Sequence, residues 1–284
     1  SWVGKHRDMF AALERVVQVV PPSGRFEFLD LGYVVHCWQR YEESNVYRGA
    51  CSPGGYSAHV LGKNSIARGV GVALPTSQGG PACELSKKQR KRFTLHTGDL
   101  TMFKLHPISR ETVEVTRRLP NMPDDFRDKD LSTAAVVDRR DKRMTHRLLV
   151  SQLVIALRVL KRGGTIVATL DHPERIVTAQ LLLMLKDLCG DVWTFKSDKT
   201  LGIHSDFMVV AKRFGCGPRG GDRGRFLKEF EKRWFELMFG AKQGRYLGDH
   251  ELDFIVSQGE ILGERFHEFL ALATGPWEIQ AQSL

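Results

Sequence analysis

Phe28-Leu29-Asp30-Leu31-Gly32 and Cys51-Ser52-Pro53-Gly54-Gly55-Tyr56-Ser57 read as two halves of one element, held apart by Tyr33 to Ala50. Joined, they describe a buried strand ending in an acid and a glycine. The chain then bends through a Pro-Gly-Gly loop and enters a helix. Glycine lets the backbone approach a ligand closely, and a strand-end carboxylate faces the crevice where nucleotide-type cofactors bind. The fold expected for the chain follows from that reading.

Working outward, Met9, Phe10, Leu13, Val16, Val17 and Val20 recur at helical spacing before Pro21-Pro22. Ala67 to Leu74 reads as a strand, and Phe93 to His96 leads to Thr97-Gly98-Asp99-Leu100, a strand end followed by an acid. Residues 105–131 have no clear period and read as loop with a short helix. Ala134 to Val137 is a strand ending in Asp138. Leu149, Leu153, Ala156, Leu157 and Leu160 line one helical face, closed by Lys161-Arg162-Gly163-Gly164. Thr165 to Leu170 is a strand, Glu174 to Leu188 a helix, and Asp191 to Lys196 and Asp206 to Ala211 two more strands. Alternation of strand and helix predicts an α/β, mostly parallel sheet covered on both faces. The last two strands have no room for a helix between them, so an antiparallel last strand is expected. Gly215 to Gly224 has linker composition. Phe226, Leu227, Phe230, Trp234 and Leu237, then Leu252 to Leu270, form a helical C-terminal extension. The division is therefore 1–214 as the main domain, 215–224 as linker and 225–284 as extension.

The chain has 284 residues, long enough for one large α/β domain with an appendage. It starts at Ser1, consistent with a fragment or a processed product. No apolar run approaches the roughly 18 residues of a membrane span. Five scattered cysteines without metal-type pairing point to a reducing, intracellular setting, nucleus or cytoplasm. The net charge of +9 is clustered in Lys87 to Arg92, Arg139 to Arg143 and Lys212 to Arg225. Such runs are often solvated loops. Beside a cofactor loop they suggest an RNA partner held through its phosphates. The apolar faces of the C-terminal helices need cover from the main domain or from a protein partner.

The joined loop, Gly71-Val72-Ala73-Leu74-Pro75 with Gly79-Gly80, Gly98-Asp99, Asp138, Gln152-Leu153, Leu160 to Gly164 and Ser205-Asp206-Phe207 together resemble an FtsJ-like ribose 2′-O-methyltransferase domain over residues 5–214. The resemblance implies a Rossmann-like methyltransferase fold with a seven-stranded sheet. It also implies S-adenosylmethionine as methyl donor, with Asp30, Gly32, Pro53, Gly54 and Gly55 around its methionine and ribose portions and Asp99 at the adenine amino group. Catalysis in the family uses a Lys-Asp-Lys-Glu set, one lysine having its pKa lowered so that it can activate the ribose hydroxyl. Asp138 matches the aspartate, Asp206 stands where the glutamate is expected, and Lys5 is the candidate for the first lysine. Thr169 stands where the central lysine is expected, and threonine is no base near neutral pH. A catalytically inactive homologue that binds RNA or protein is therefore the alternative, and a methyltransferase for another acceptor a third reading.

Tyr33 to Ala50 is either an insertion in the cofactor loop or an in-frame retained intron. Its Gly-Tyr-Val entry can be encoded by a splice-donor-like GGGTACGT, Ser44-Asn45 can supply a branch-point-like CTAAC, and Tyr47-Arg48 can supply a TAG before the resumed exon. Amplification of the mature transcript separates the two.

Overall fold

A computed structural model describes residues 2–31, 55–78, 83–107, 116–135, 142–197, 205–240, 247–248 and 250–283. Helix α1, Trp2–Val16, turns Met9, Phe10 and Leu13 into the core and leaves Val16 outside. Its exit is fixed by Glu14, whose buried carboxylate accepts from the amides of Val19 (3.1 Å) and Val20 (2.8 Å) and pairs with Lys63. Strand β1, Glu27–Asp30, is followed by α2 (Gly55–Lys63), β2 (Arg68–Ala73), α3 (Lys87–Arg90) and β3 (Phe93–Thr97). The second half runs β4 (Lys129–Ala135), α4 (Lys142–Val159), β5 (Leu160–Leu170), α5 (Ile176–Leu188), β6 (Cys189–Phe195) and β7 (Phe207–Phe214).

The seven strands form one sheet in the order β3-β2-β1-β4-β5-β7-β6. β1 to β5 are parallel, and β7 is antiparallel to both β5 and β6. The expected mostly parallel α/β sheet with an antiparallel last strand is present. β1 is central, and Phe28 and Leu29 are both fully buried, as a strand covered on two faces requires. Gly69 beside it is needed for space: a Cβ there would lie 2.2 Å from the Phe28 ring.

Two strand starts differ from the sequence reading. β4 begins at Lys129 rather than Ala134, and β5 at Leu160 rather than Thr165. Charged residues hide the early part of β4. Lys129 is buried against Glu27, while Asp130 accepts from the Glu27 amide at 2.8 Å and pairs with Lys161. Lys129 pairs with Leu160, and a register shift follows before Leu131 meets Thr165.

Three C-terminal helices, α6 (Arg223–Phe239), α7 (Gln258–Leu262) and α8 (Phe266–Ser283), lie on this sheet-and-helix body. Phe226, Phe230 and Trp234 of α6 are fully buried in the common core, against α4. Arg223 donates to the carbonyls of Leu157 (2.7 Å) and Arg158 (3.0 Å), satisfying the end of α4. Arg265 clamps the buried Asp187 carboxylate with bonds of 2.9 and 3.0 Å, and Arg219 adds a third at 3.4 Å. α8 lies along β6, where the Thr194 hydroxyl donates to the Leu272 carbonyl. Among the described residues, no helix is long and apolar enough to cross a membrane.

Candidate active site

The chain leaves β1 towards β2 on one side and leaves β4 towards β5 on the other. The strand order therefore reverses between β1 and β4. In open α/β sheets a crevice opens at such a point, outside the carboxyl ends of the strands. Asp30 ends β1 at that crevice and is 1 % exposed. Its Oδ2 accepts from the Ser57 hydroxyl at 2.5 Å, and its Oδ1 from the Thr133 hydroxyl at 2.9 Å. Thr133 Oγ1 also accepts from the Leu31 amide at 3.3 Å, and Gln152 donates to the Leu31 carbonyl at 3.3 Å. One carboxylate thus ties the end of β1 to the first turn of α2 and to β4. The positive end of the α2 dipole suits that charge. Gly55, buried, is the first residue of α2. Tyr56 beside it stacks edge-on against Phe10 at 4.5 Å, and its buried hydroxyl is unpartnered among the described residues. Burial, then the charges of Glu14 and Asp30, push that hydroxyl's pKa well up. Gly32, Pro53 and Gly54 lie outside the described residues, as does Tyr33 to Ala50.

Asp99 follows β3 and caps the short turn Leu100–Met102. Its Oδ1 accepts from the Thr101 amide (2.9 Å) and hydroxyl (2.8 Å), and among the described residues no donor engages Oδ2. The turn is braced from behind by Trp234 of α6, whose indole N–H donates to the Thr101 carbonyl at 3.2 Å.

On the other side of the crevice, Asp206 is buried just before β7, and its main-chain carbonyl accepts from Lys196 Nζ at 3.0 Å. Lys196 is itself 3 % exposed at the end of β6. Burial holds its ammonium below the usual lysine range, against the opposing pull of Asp206 and Glu174. Asp138 lies outside the described residues, and Lys5 falls within α1 with its side chain outside them. Thr169 sits on β5, paired with Ala135 and Met208, 1 % exposed, with its hydroxyl unpartnered among the described residues.

The turn after β5 holds residues that sequence reasoning passed over. His172 has φ +46°, a left-handed conformation, and its amide donates to the Ser205 carbonyl at 3.2 Å. Its Nδ1 lies 2.7 Å from Glu174 Oε1. Burial works to raise the Glu174 carboxyl. A hydrogen bond from its own amide, then those from His172 and from Trp277 of α8, outweigh burial and hold it below the ordinary value. A histidine two residues before a glutamate at a strand end is the one signal in the sequence, and it is too common to stand out.

The basic runs are placed mostly away from this crevice. Lys87, Lys88 and Lys91 are exposed, but they precede β3 and so lie at the amino edge of the sheet. Arg92 of the same run donates to the carbonyls of Leu61, Asn64 and Ala67 at 2.6, 2.9 and 3.1 Å, capping α2. In the third run, Arg213 pairs with Asp191, Arg219 and Arg225 pair with Asp222, and Arg223 caps α4. The middle run begins outside the described residues. No group of three or more metal-ligating side chains occurs among the described residues.

No family model matches the chain, and no curated protein matches it. Among solved structures it is similar to the N-methyltransferase NodS from Bradyrhizobium japonicum WM9. That match has 12 % identity and a TM-score of 0.40, over 75 % of this chain and 96 % of that one. A probable spermidine synthase from Corynebacterium glutamicum ATCC 13032 gives 11 % and 0.41, over 89 % and 77 %. CalO1, a methyltransferase in calicheamicin biosynthesis in its SAH-bound form, gives 14 % and 0.29 over 57 % of this chain, which spans only 36 % of CalO1. Likenesses this weak add nothing to the strand order itself.

Proposed function

We propose that this chain binds S-adenosylmethionine in the crevice between β1 and β4 and transfers its methyl group to an acceptor, with an RNA ribose 2′-hydroxyl as the first candidate. The observation that carries the reading is the pair of strand-end carboxylates at a point of reversed strand order. Asp30 organises the glycine-led start of α2, and Asp99 keeps one oxygen without a donor among the described residues. The residues fit the cofactor. A carboxylate oxygen after β3 suits the amino group of adenine, and the buried Gly55 at the helix start allows close backbone approach. When bound, the cofactor supplies an electrophilic methyl carbon on a sulfonium.

The chain's own residues orient and enclose. Asp30 fixes the floor of the site, Thr101 and Trp234 hold Asp99, and Asp206 and Lys196 line the far side. Asp138, Asp206 and Lys5 remain the catalytic candidates that the family resemblance implies. RNA as acceptor rests on that resemblance and on the exposed lysines of the first basic run. Because those lysines lie across the sheet from the crevice, an RNA gripped there would have to wrap the domain edge.

Thr169 favours a second reading, a silent homologue that binds without transferring: its hydroxyl is buried in β5, where a lysine is expected. Calorimetric titration of the full chain with S-adenosylmethionine and S-adenosylhomocysteine tests the premise. Binding at micromolar ligand is expected, and no heat below millimolar ligand removes both the cofactor and the enzyme. Transfer of labelled methyl to an unmodified RNA transcript then separates the active reading from the silent one.

A further inference from the structure

We propose that His172, held by Glu174, is the general base that takes the acceptor's proton, in the role left empty by Thr169; this rests on the methyl-transfer reading above. His172 lies in the turn directly after β5, at the carboxyl end of a strand paired with β4 on one side and β7 on the other, and its amide is tied to Ser205 before β7. Its Nδ1 is engaged by Glu174 Oε1 at 2.7 Å, while no hydrogen bond to Nε2 forms among the described residues. A carboxylate on Nδ1 selects the tautomer with the proton there and leaves the Nε2 lone pair as the acceptor. The left-handed backbone of His172 is a conformation that β-carbon-bearing residues adopt sparingly, and such outliers gather where a side chain must be aimed. The His172 side chain is 34 % exposed, so a proton can pass on to water.

The step balances simply. The acceptor oxygen attacks the methyl carbon, the carbon–sulfur bond breaks with its electron pair returning to sulfur, and the acceptor proton moves to His172 Nε2. Glu174 is a positioning residue that also faces the imidazolium charge so formed. Among the described residues, the other charged groups about the turn are Asp171 and Arg175 on the same segment, Lys196 just after β6 and Asp206 before β7. An imidazole is the side chain suited to exchange a proton near neutrality, whereas the buried Lys196 is held at a carbonyl.

Long-range proton–nitrogen correlation spectra of the full chain, with His172 assigned by H172Q, report the tautomer without any turnover. The expected result is an Nδ1-protonated neutral imidazole in wild type and E174Q, and a mixed tautomer in E174A; an Nε2-protonated ring in wild type overturns the proposal. S-adenosylhomocysteine should bind H172Q within about threefold of wild type, and failure of wild type to bind it overturns the cofactor reading instead. With labelled S-adenosylmethionine and an RNA transcript, wild type should gain rate as pH rises. H172Q should lose at least 100-fold and that limb, in line with the 10²–10⁴ typical of a general base. H172Q activity within twofold of wild type across pH overturns the proposal, and an inactive wild type that binds cofactor returns the chain to the silent reading.

Discussion

Replacing Asp30 tests the site at its floor. The carboxylate is 1 % exposed and receives hydrogen bonds from Ser57 at 2.5 Å and Thr133 at 2.9 Å. A hydrogen bond to a buried charged group contributes about 1.5–3 kcal/mol. The desolvation of the carboxylate offsets part of the sum, since that cost disappears with the charge. Asp30→Ala leaves both hydroxyls without their acceptor and is expected to cost about 4 kcal/mol. Asp30→Asn retains one acceptor oxygen and the volume, and about 2 kcal/mol is expected. Urea unfolding followed by tryptophan fluorescence gives these values, and a double-mutant cycle with Ser57→Ala should return a coupling of at least about 1 kcal/mol. Because the same bonds fix the start of α2, S-adenosylhomocysteine affinity should fall at least tenfold in Asp30→Asn. An Asp30→Ala protein as stable as wild type would refute the idea that this carboxylate joins the three elements. A destabilised Asp30→Asn with undiminished affinity would confine its role to folding.

Arg92→Met should cost about 2–3 kcal/mol in urea unfolding, because three carbonyls lose a charged donor, while Lys88→Met stays within about 0.5 kcal/mol. Equal effects would contradict the structural role assigned to Arg92. Cys189 is 2 % exposed, and burial, then the neighbouring Cys216, pushes its thiol up to about 12. In native protein at pH 8 a thiol reagent should label the exposed Cys216 rapidly and Cys189 only on unfolding; mass spectrometry finding equal rates would count against the packing of β6. Glu260 and Glu268 are both held below the ordinary glutamate value, by Ser257 and by Arg265 respectively. Depressed folded values mean a contribution that is full above 4.5, the unfolded value, and lost as pH falls through the folded values. Urea midpoints should therefore drop between pH 5 and 3, less so in Glu268→Gln; a midpoint that rises on acidification would contradict the sign.

The parts of the fold legible in sequence were those where side-chain character tracks burial. Phe28 to Asp30, Val70 to Ala73, Ile166 to Leu170 and Phe207 to Ala211 are apolar because both faces of the sheet are covered, and each is a strand. Lys129 to Ser132 is equally a strand, but its charges are satisfied by Glu27 and Lys161, partners far away in the chain, so no local pattern announces it. The basic runs misled in the opposite way. Arg92 and Arg223 look like phosphate ligands in sequence, yet their guanidinium groups close the ends of α2 and α4.

By itself the sequence determined the order of strands and helices, the acid at the end of β1, the acid after β3 and the absence of a lysine at Thr169. Periodicity and strand-end chemistry are local, and one chain contains them. Only the tertiary structure decided which acids still have an oxygen to offer. Asp30 has both engaged by Ser57 and Thr133, while one oxygen of Asp99 has no donor among the described residues. It also decided that α6 braces the Asp99 turn through Trp234. It brought His172, Glu174, Lys196 and Asp206 to one end of the sheet. Those relations depend on the reversal of strand order and on an antiparallel β7, which carry residues distant in sequence to the same edge.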